Sequence, residues 1–152
     1  MRNIVIDTCV IIHIVRDTPT GKKCLRQLAS LDSDPNIIIS VATKAELDSF
    51  GRQNSWGDNK LAKLTTFLQA VTVIDIKAAD KKLIEGYGQI DGYSKGKLPD
   101  SSGSLMSGSA RKMGKNDLWI AATALAIDVS LVTTDGDFDH LHGSFIDVIK
   151  IV

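Results

Sequence analysis

The chain has 152 residues, enough for one domain with a sizeable core, and its 43% hydrophobic and 24% charged residues are ordinary for a soluble globular protein. Eighteen basic and eighteen acidic residues give zero formal charge. That excludes a nucleic-acid partner held by the field of the whole chain, so a polyanion would need a local basic patch or metal ions. Cys9 and Cys24 have neither CxxC nor zinc spacing, which suggests reduced thiols in a cytosol. In "MRNIVIDTCVIIHIV", Asp7 and His13 interrupt the apolar run and no small-residue cleavage site follows. No apolar run is long enough to cross a membrane, and a cytoplasmic protein is expected.

Asn3 to Ile6 is a short apolar run ending at Asp7, the pattern of a strand buried on both faces. A helix is predicted from Thr8 to Arg16, with Val10, Ile11, Ile14 and Val15 as its apolar stripe. A second runs from Thr20 to Leu31 with Leu25, Leu28 and Leu31 inward. "NIIIS" (Asn36 to Ser40) is a second buried strand leading into the helix "VATKAELDSFGRQ". Asn59 to Ala70 is helical, with Leu61, Leu64, Phe67 and Leu68 on one side, and Val71 to Ile76 is a strand. Ala78 to Ile90 is helical, weakened by Gly86 and Gly88. Asp91 to Gly114 is rich in Gly and Ser and lacks periodicity, so a flexible loop is expected, either a surface excursion or a functional segment. A helix from Lys115 to Asp128, a strand from Ser130 to Thr134, a "DGD" turn and a strand near Phe145 to Ile151 complete the chain. The alternation of strands and helices predicts an α/β fold with a mostly parallel sheet.

Asp7 and Asp135 are each expected at the carboxyl end of a buried strand, the edge where open parallel sheets bind ligands. Asp117 opens the helix that feeds the second of these strands, and Glu46 lies just inside the helix after "NIIIS". Each acid has a structural explanation taken singly. Asp7 or Asp117 could cap a helix, Asp135-Gly136 could be a turn, and Glu46 could be a half-exposed helix residue. Four carboxylates converging on one edge would repel each other unless a cation joined them, and oxygen-only ligands suit Mg²⁺ or Mn²⁺.

"IVIDTCVII", "SVATKAEL", "GKNDLWIAATALA" and "LVTTDGDF" together resemble the PIN domain family, and within it the VapC-type toxins of bacterial toxin–antitoxin pairs. The resemblance runs over nearly the whole chain, and "NDxxIAAxA" followed by "LVTxDxDF" is its most telling part. It implies a single three-layer α/β/α domain over residues 1–152 and a metal set of Asp7, Glu46, Asp117 and Asp135, which are also the catalytic residues. Asp137 matches a further acid that many members carry, Thr133 a hydroxyl that orders the site, and Asn116 a polar neighbour. The chain departs from the family in the longer Gly/Ser-rich segment before Asp117. Asp117 is then expected to be both helix cap and ligand, its ionised form favoured by the helix start.

The expected activity is Mg²⁺- or Mn²⁺-dependent hydrolysis of RNA, leaving 5′-phosphate and 3′-hydroxyl ends as the resemblance implies. Lys44, Arg52, Lys95, Lys97, Arg111, Lys112 and Lys115 are candidate phosphate contacts, the last three beside Asp117 being the best. The resemblance also implies a small antitoxin laid across the groove, and a homodimer. Two other substrates fit the same site, DNA and structured RNA, as does a non-catalytic binding module on the same fold. A phosphatase of the haloacid dehalogenase type needs a second Asp two residues after the first, where this chain has Cys9. Cys9 itself is expected to be a small core residue, Asp139 surface, Trp119 helix packing, and Trp56 near a turn and open to stacking.

Overall fold

In the computed structural model, which describes Met1–Val152, the two apolar runs at residues 3–6 and 36–40 become inner strands of one sheet. β1 (Asn3–Ile6), β2 (Asn36–Ser40), β3 (Thr72–Ile74), β4 (Leu131–Thr133) and β5 (Val148–Lys150) lie in the order β3-β2-β1-β4-β5, all parallel. Ile4, Val5 and Ile6 are fully buried, because helices cover the central strand on both sides. The pleat sorts their side chains. Ile4, Ile6, Ile39 and Val132 enter one core with α1 (Thr8–Val15), α2 (Pro19–Leu31), α3 (Val41–Gln53) and α4 (Asp58–Gln69). Val5, Ile38 and Leu131 enter the other with α5 (Lys81–Ser94), α6 (Lys115–Ile127) and a 3-10 helix (Gly136–Leu141). The result is the expected three-layer α/β/α architecture.

Strand order reverses at β1: β2 and β3 are laid down on one side of it, β4 and β5 on the other. Val5 pairs with Leu131 and Ile6 with Val132, and the Asp7 N–H donates to the Val132 carbonyl at 3.0 Å. Beyond that rung the chains diverge, Asp7 into α1 and Thr133 toward the 3-10 helix. This switch point is where a crevice opens in such sheets.

Several local expectations are corrected. In α2 the buried face is Gly21, Cys24 and Leu28, while Leu25 is 50% exposed and Leu31 half-buried. The face is set by Gly21, where a Cβ would collide with the His13 carbonyl, so this turn alone can pack against α1. In α4 Leu64 is buried and Leu61 exposed, and Phe67 and Leu68 are half-buried against the core. Trp56 is 8% exposed and packs edge-on against Phe50, which removes it from any stacking role on the surface. α5 continues to Ser94 rather than stopping at Ile90. Its Gly86 lies over Ala122 and Leu125, so this glycine serves helix contact.

The segment between α5 and α6 therefore begins at Lys95. Within it the Asp100 carboxylate accepts from the N–H groups of Ser102 and Ser104, both at 3.0 Å, and the Arg111 N–H donates to the Ser94 carbonyl at 2.7 Å. β3, β4 and β5 are each shorter than the apolar runs suggest. "DGD" opens a 3-10 helix because the Asp135 carboxylate caps it, accepting from the Asp137 N–H at 3.1 Å.

Candidate active site

Asp7 follows β1 directly and is 4% exposed. It caps α1, Oδ1 accepting from the Thr8 N–H at 2.7 Å. Oδ2 accepts from the Thr133 hydroxyl at 2.8 Å and the Cys9 thiol at 3.0 Å. Burial pushes this carboxyl above its ordinary pKa, against the pull of those donors, and the nearby Glu46 charge adds to the rise. Cys9, expected as a small core residue, packs against the core and also takes part in the site. It is half-buried, accepts from the Thr134 hydroxyl at 3.0 Å, and has its own pKa pushed up to about 12 by burial and the Asp7 charge. It is a protonated donor to Asp7, not a thiolate.

Glu46 stands on α3 and is half-buried. Its Oε1 accepts from the Thr8 hydroxyl at 2.7 Å, which lies 3.1 Å from the Thr43 hydroxyl. Thr8 and Thr43 were not singled out from the sequence. Their only signal is position, Thr8 beside Asp7 and Thr43 one turn before Glu46.

Asp117, Asp135 and Asp137 form the tightest group: one carboxylate oxygen from each lies within 4.8 Å of the others. Asp135 is tied to Asp7 through Thr133, whose hydroxyl also receives the Asp135 N–H at 3.0 Å. Thr133 is fully buried and so fixes two of the acids relative to each other. Asp117 departs from expectation. The cap of α6 is Gly114, and Asp117 is the third residue of the helix. Its pKa is not lowered by the helix start but raised to about 7, first by burial and then by the charges of Asp7, Glu46, Asp135 and Asp137. A helix start contributes about 0.3–1 kcal/mol to an anion, too little against that company. Asp137 is exposed; burial and Asp135 raise its pKa while the Arg111 charge lowers it.

The five acids are thus assembled around one spot, with Asp117 feeling the other four. Among the candidate cations, Arg111 is near enough for its charge to lower the pKa of Asp137. Lys44, Lys97, Lys112 and Lys115 are exposed, and Arg52 and Lys95 are occupied in surface pairs with Asp48 (2.8 Å) and Asp91 (3.1 Å). Asp139 lies on the surface as expected and pairs with Lys150 at 2.9 Å. Trp119 packs against Tyr87 of α5, also as expected. Asn116 is exposed and lines a cavity of about 380 Å³ together with Thr8 and Glu46.

A family model described as the PIN domain matches residues 4–143. The chain belongs to the PIN domain family. Among solved structures, this PIN domain is similar to the VapBC2 structure from Rickettsia felis, bound to a DNA fragment from its promoter, with TM-score 0.71 and 22% identity over 97% of this chain and 98% of that one. It is similar to the DNA-bound VapBC structure from Salmonella typhimurium, with TM-score 0.68 and 20% identity over 100% of both chains. It is also similar to VapBC-5 from Mycobacterium tuberculosis, of the VapBC family of toxin–antitoxin systems, with TM-score 0.65 and 22% identity over 99% and 100%. At these identities the likeness is one of fold. Comparison with curated protein sequences finds no significant match.

The donor set of this PIN domain fits a hard divalent cation. It is all oxygen, it converges, and its repulsion is unbalanced at Asp117. Asp117, Asp135 and Asp137 would hold such an ion, with Asp7 and Glu46 at its flank. No helix is long and apolar enough to cross a membrane.

Proposed function

We propose that this PIN domain is a Mg²⁺- or Mn²⁺-dependent endoribonuclease acting as the toxin of a VapC-type toxin–antitoxin pair. The carrying observation is the acid group itself: three carboxylates within 4.8 Å, two more beside them, and Asp117 raised to about 7 by burial and by the charges of the other four. A divalent ion, when bound, supplies charge for a phosphate oxygen and acidifies a bound water.

The chain's own residues prepare the rest. The Thr8 N–H and the Thr133 and Cys9 side chains keep Asp7 in one orientation, and the Thr8 hydroxyl steadies Glu46. Arg111, which reaches the field of Asp137, offers its charge to a substrate phosphate at the rim, with Lys112 and Lys115 following it along the chain. Asp117, whose pKa burial and its neighbours raise to about 7, would act as a ligand in its deprotonated form, so its affinity for a cation would rise with pH. The VapBC likenesses support an antitoxin as partner; a homodimer as the working unit and one catalytic domain spanning residues 1–152 are part of the same proposal. DNA and structured RNA are the alternative substrates of the same site.

The test is cleavage of single-stranded RNA by wild-type protein and Asp117→Asn in Mn²⁺, with calorimetric titration of the ion. Binding and cleavage should both be lost in the variant. A variant that cleaves as the wild type does would remove Asp117 from the site. With active protein, Arg111→Ala should weaken RNA binding and reduce the slope of log affinity against log salt by about 1. An unchanged slope would free Arg111 of any phosphate contact.

A further inference from the structure

The cavity beside Glu46 is lined by none of the chain's lysines or arginines. Its one charged wall is Glu46, and Asn116, next in sequence to Asp117, forms another side, so it opens onto the acid group. A phosphate would meet a carboxylate there and no cation. The remaining walls suit a flat neutral ring. Phe50 and Ile12, both half-buried, give apolar surface, and the Phe50 ring is fixed edge-on to Trp56 with centroids 5.6 Å apart. Gln53 and Ser49 give neutral donors and acceptors, the Gln53 amide donating to the Ser49 hydroxyl at 2.7 Å so that its carbonyl oxygen is left to accept. The volume of about 380 Å³ lies within the range of small-ligand sites, about 300–1,000 Å³.

We infer that this cavity is a nucleobase subsite: it receives the base of one nucleotide flanking the cleaved phosphodiester, Phe50 meeting the ring and Gln53, Ser49 and Asn116 reading its edge. This rests on the nuclease reading above and adds a base preference to it. Glu46 then has two faces, Oε1 held by Thr8 and the rest of the carboxylate on the boundary between metal and base. Sequence choice would reside in α3 and Asn116 of α6 rather than in the Gly/Ser-rich segment. A single-stranded substrate is required, because an edge and a face must both be free.

The experiment cuts RNA carrying a randomised stretch with the full chain in Mn²⁺ and sequences the new ends, for wild type, Gln53→Ala and Ser49→Ala. Gln53 and Ser49 are exposed, so neither variant threatens the fold. Wild type should favour one base at one position beside the cut by roughly tenfold, the scale of one hydrogen-bonded contact. Gln53→Ala should lower that preference several-fold while Mn²⁺ affinity stays the same. Cleavage without a preference, or a preference that both variants keep, overturns the subsite and leaves the nuclease reading standing. No Mn²⁺-dependent cleavage by wild type overturns the nuclease reading and the subsite with it.

Discussion

Asp7 and Asp117 face the same space from opposite layers, and the protein treats them differently. Asp7 is the more deeply buried, yet it has a backbone N–H, a hydroxyl and a thiol donating to it. Asp117 is less buried, and every main influence on it, burial and four carboxylates, favours the protonated form. The β1–α1 corner therefore supplies donors that partly offset the burial of its carboxylate, although burial still raises the Asp7 pKa. At the corner formed by α6 and the 3-10 helix the Arg111 charge lowers the pKa of Asp137, but no cation is among the main influences on Asp117. Fixed structure and unmet charge are divided between two layers, and the unmet charge marks where an external cation has most to offer.

Activity is the bluntest way to probe that division. Asp7→Ala and Asp117→Ala should each reduce cleavage by more than the roughly 10–100-fold that a supporting residue costs. A residual rate near wild type in either variant would put that acid outside the site. Thr133→Val, which removes the link between Asp7 and Asp135 but keeps both acids, should fall within the 10–100-fold range, measured as Mn²⁺ affinity and rate together.

Stability separates the two corners by sign. Without metal, Asp7→Ala should cost about 1–3 kcal/mol in denaturant unfolding, since it strips a cap and strands buried donors. Asp117→Ala should stabilise, because it relieves repulsion. Equal destabilisation by both would erase the contrast.

A further effect is in pH. Between the ordinary Asp value of 3.8 and about 7 the folded chain holds the Asp117 proton and the unfolded chain does not. The folded state therefore binds more protons in that window, and this group's contribution to stability declines as pH rises through it, then levels off. Asp117→Asn should remove that decline from the metal-free protein, read as melting temperature against pH. Saturating Mn²⁺ should mask it in the wild type.

The parts of the fold that were legible in the sequence are those with a two-sided environment. "NIVI" and "NIIIS" can only be inner strands, and "LWIAATALA" only a buried helix, because no exposed face would tolerate them. One-sided elements were less well resolved. In α2 a leucine stripe and a Gly21-Cys24-Leu28 stripe are both possible, and the choice depends on the His13 carbonyl of another helix. Trp56 looked exposed because its partner Phe50 comes from the preceding helix turn and its core neighbours from farther away.

The acids were legible as positions after strands and at a helix start, a property of local order. Their relative closeness was not. Asp137 stands with Asp117 and Asp135 as fully as any other acid because the 3-10 helix turns it back, and a short "DGD" does not reveal that turn. The Asp117 pKa was misjudged for a similar reason: a helix start is visible in sequence, whereas four converging charges are a matter of three dimensions.

The Thr133–Asp7 hydrogen bond joins residues 126 apart in the chain, and β1 gains its neighbour β4 only when Leu131 is present. Synthesis proceeds from the N-terminus at about 5–20 residues per second. Through most of that time Asp7 and Glu46 exist without Asp117 or Asp135, and the central strand has one flank open. The acid group is therefore assembled only after residues 117–137 have been made and β4 has paired with β1.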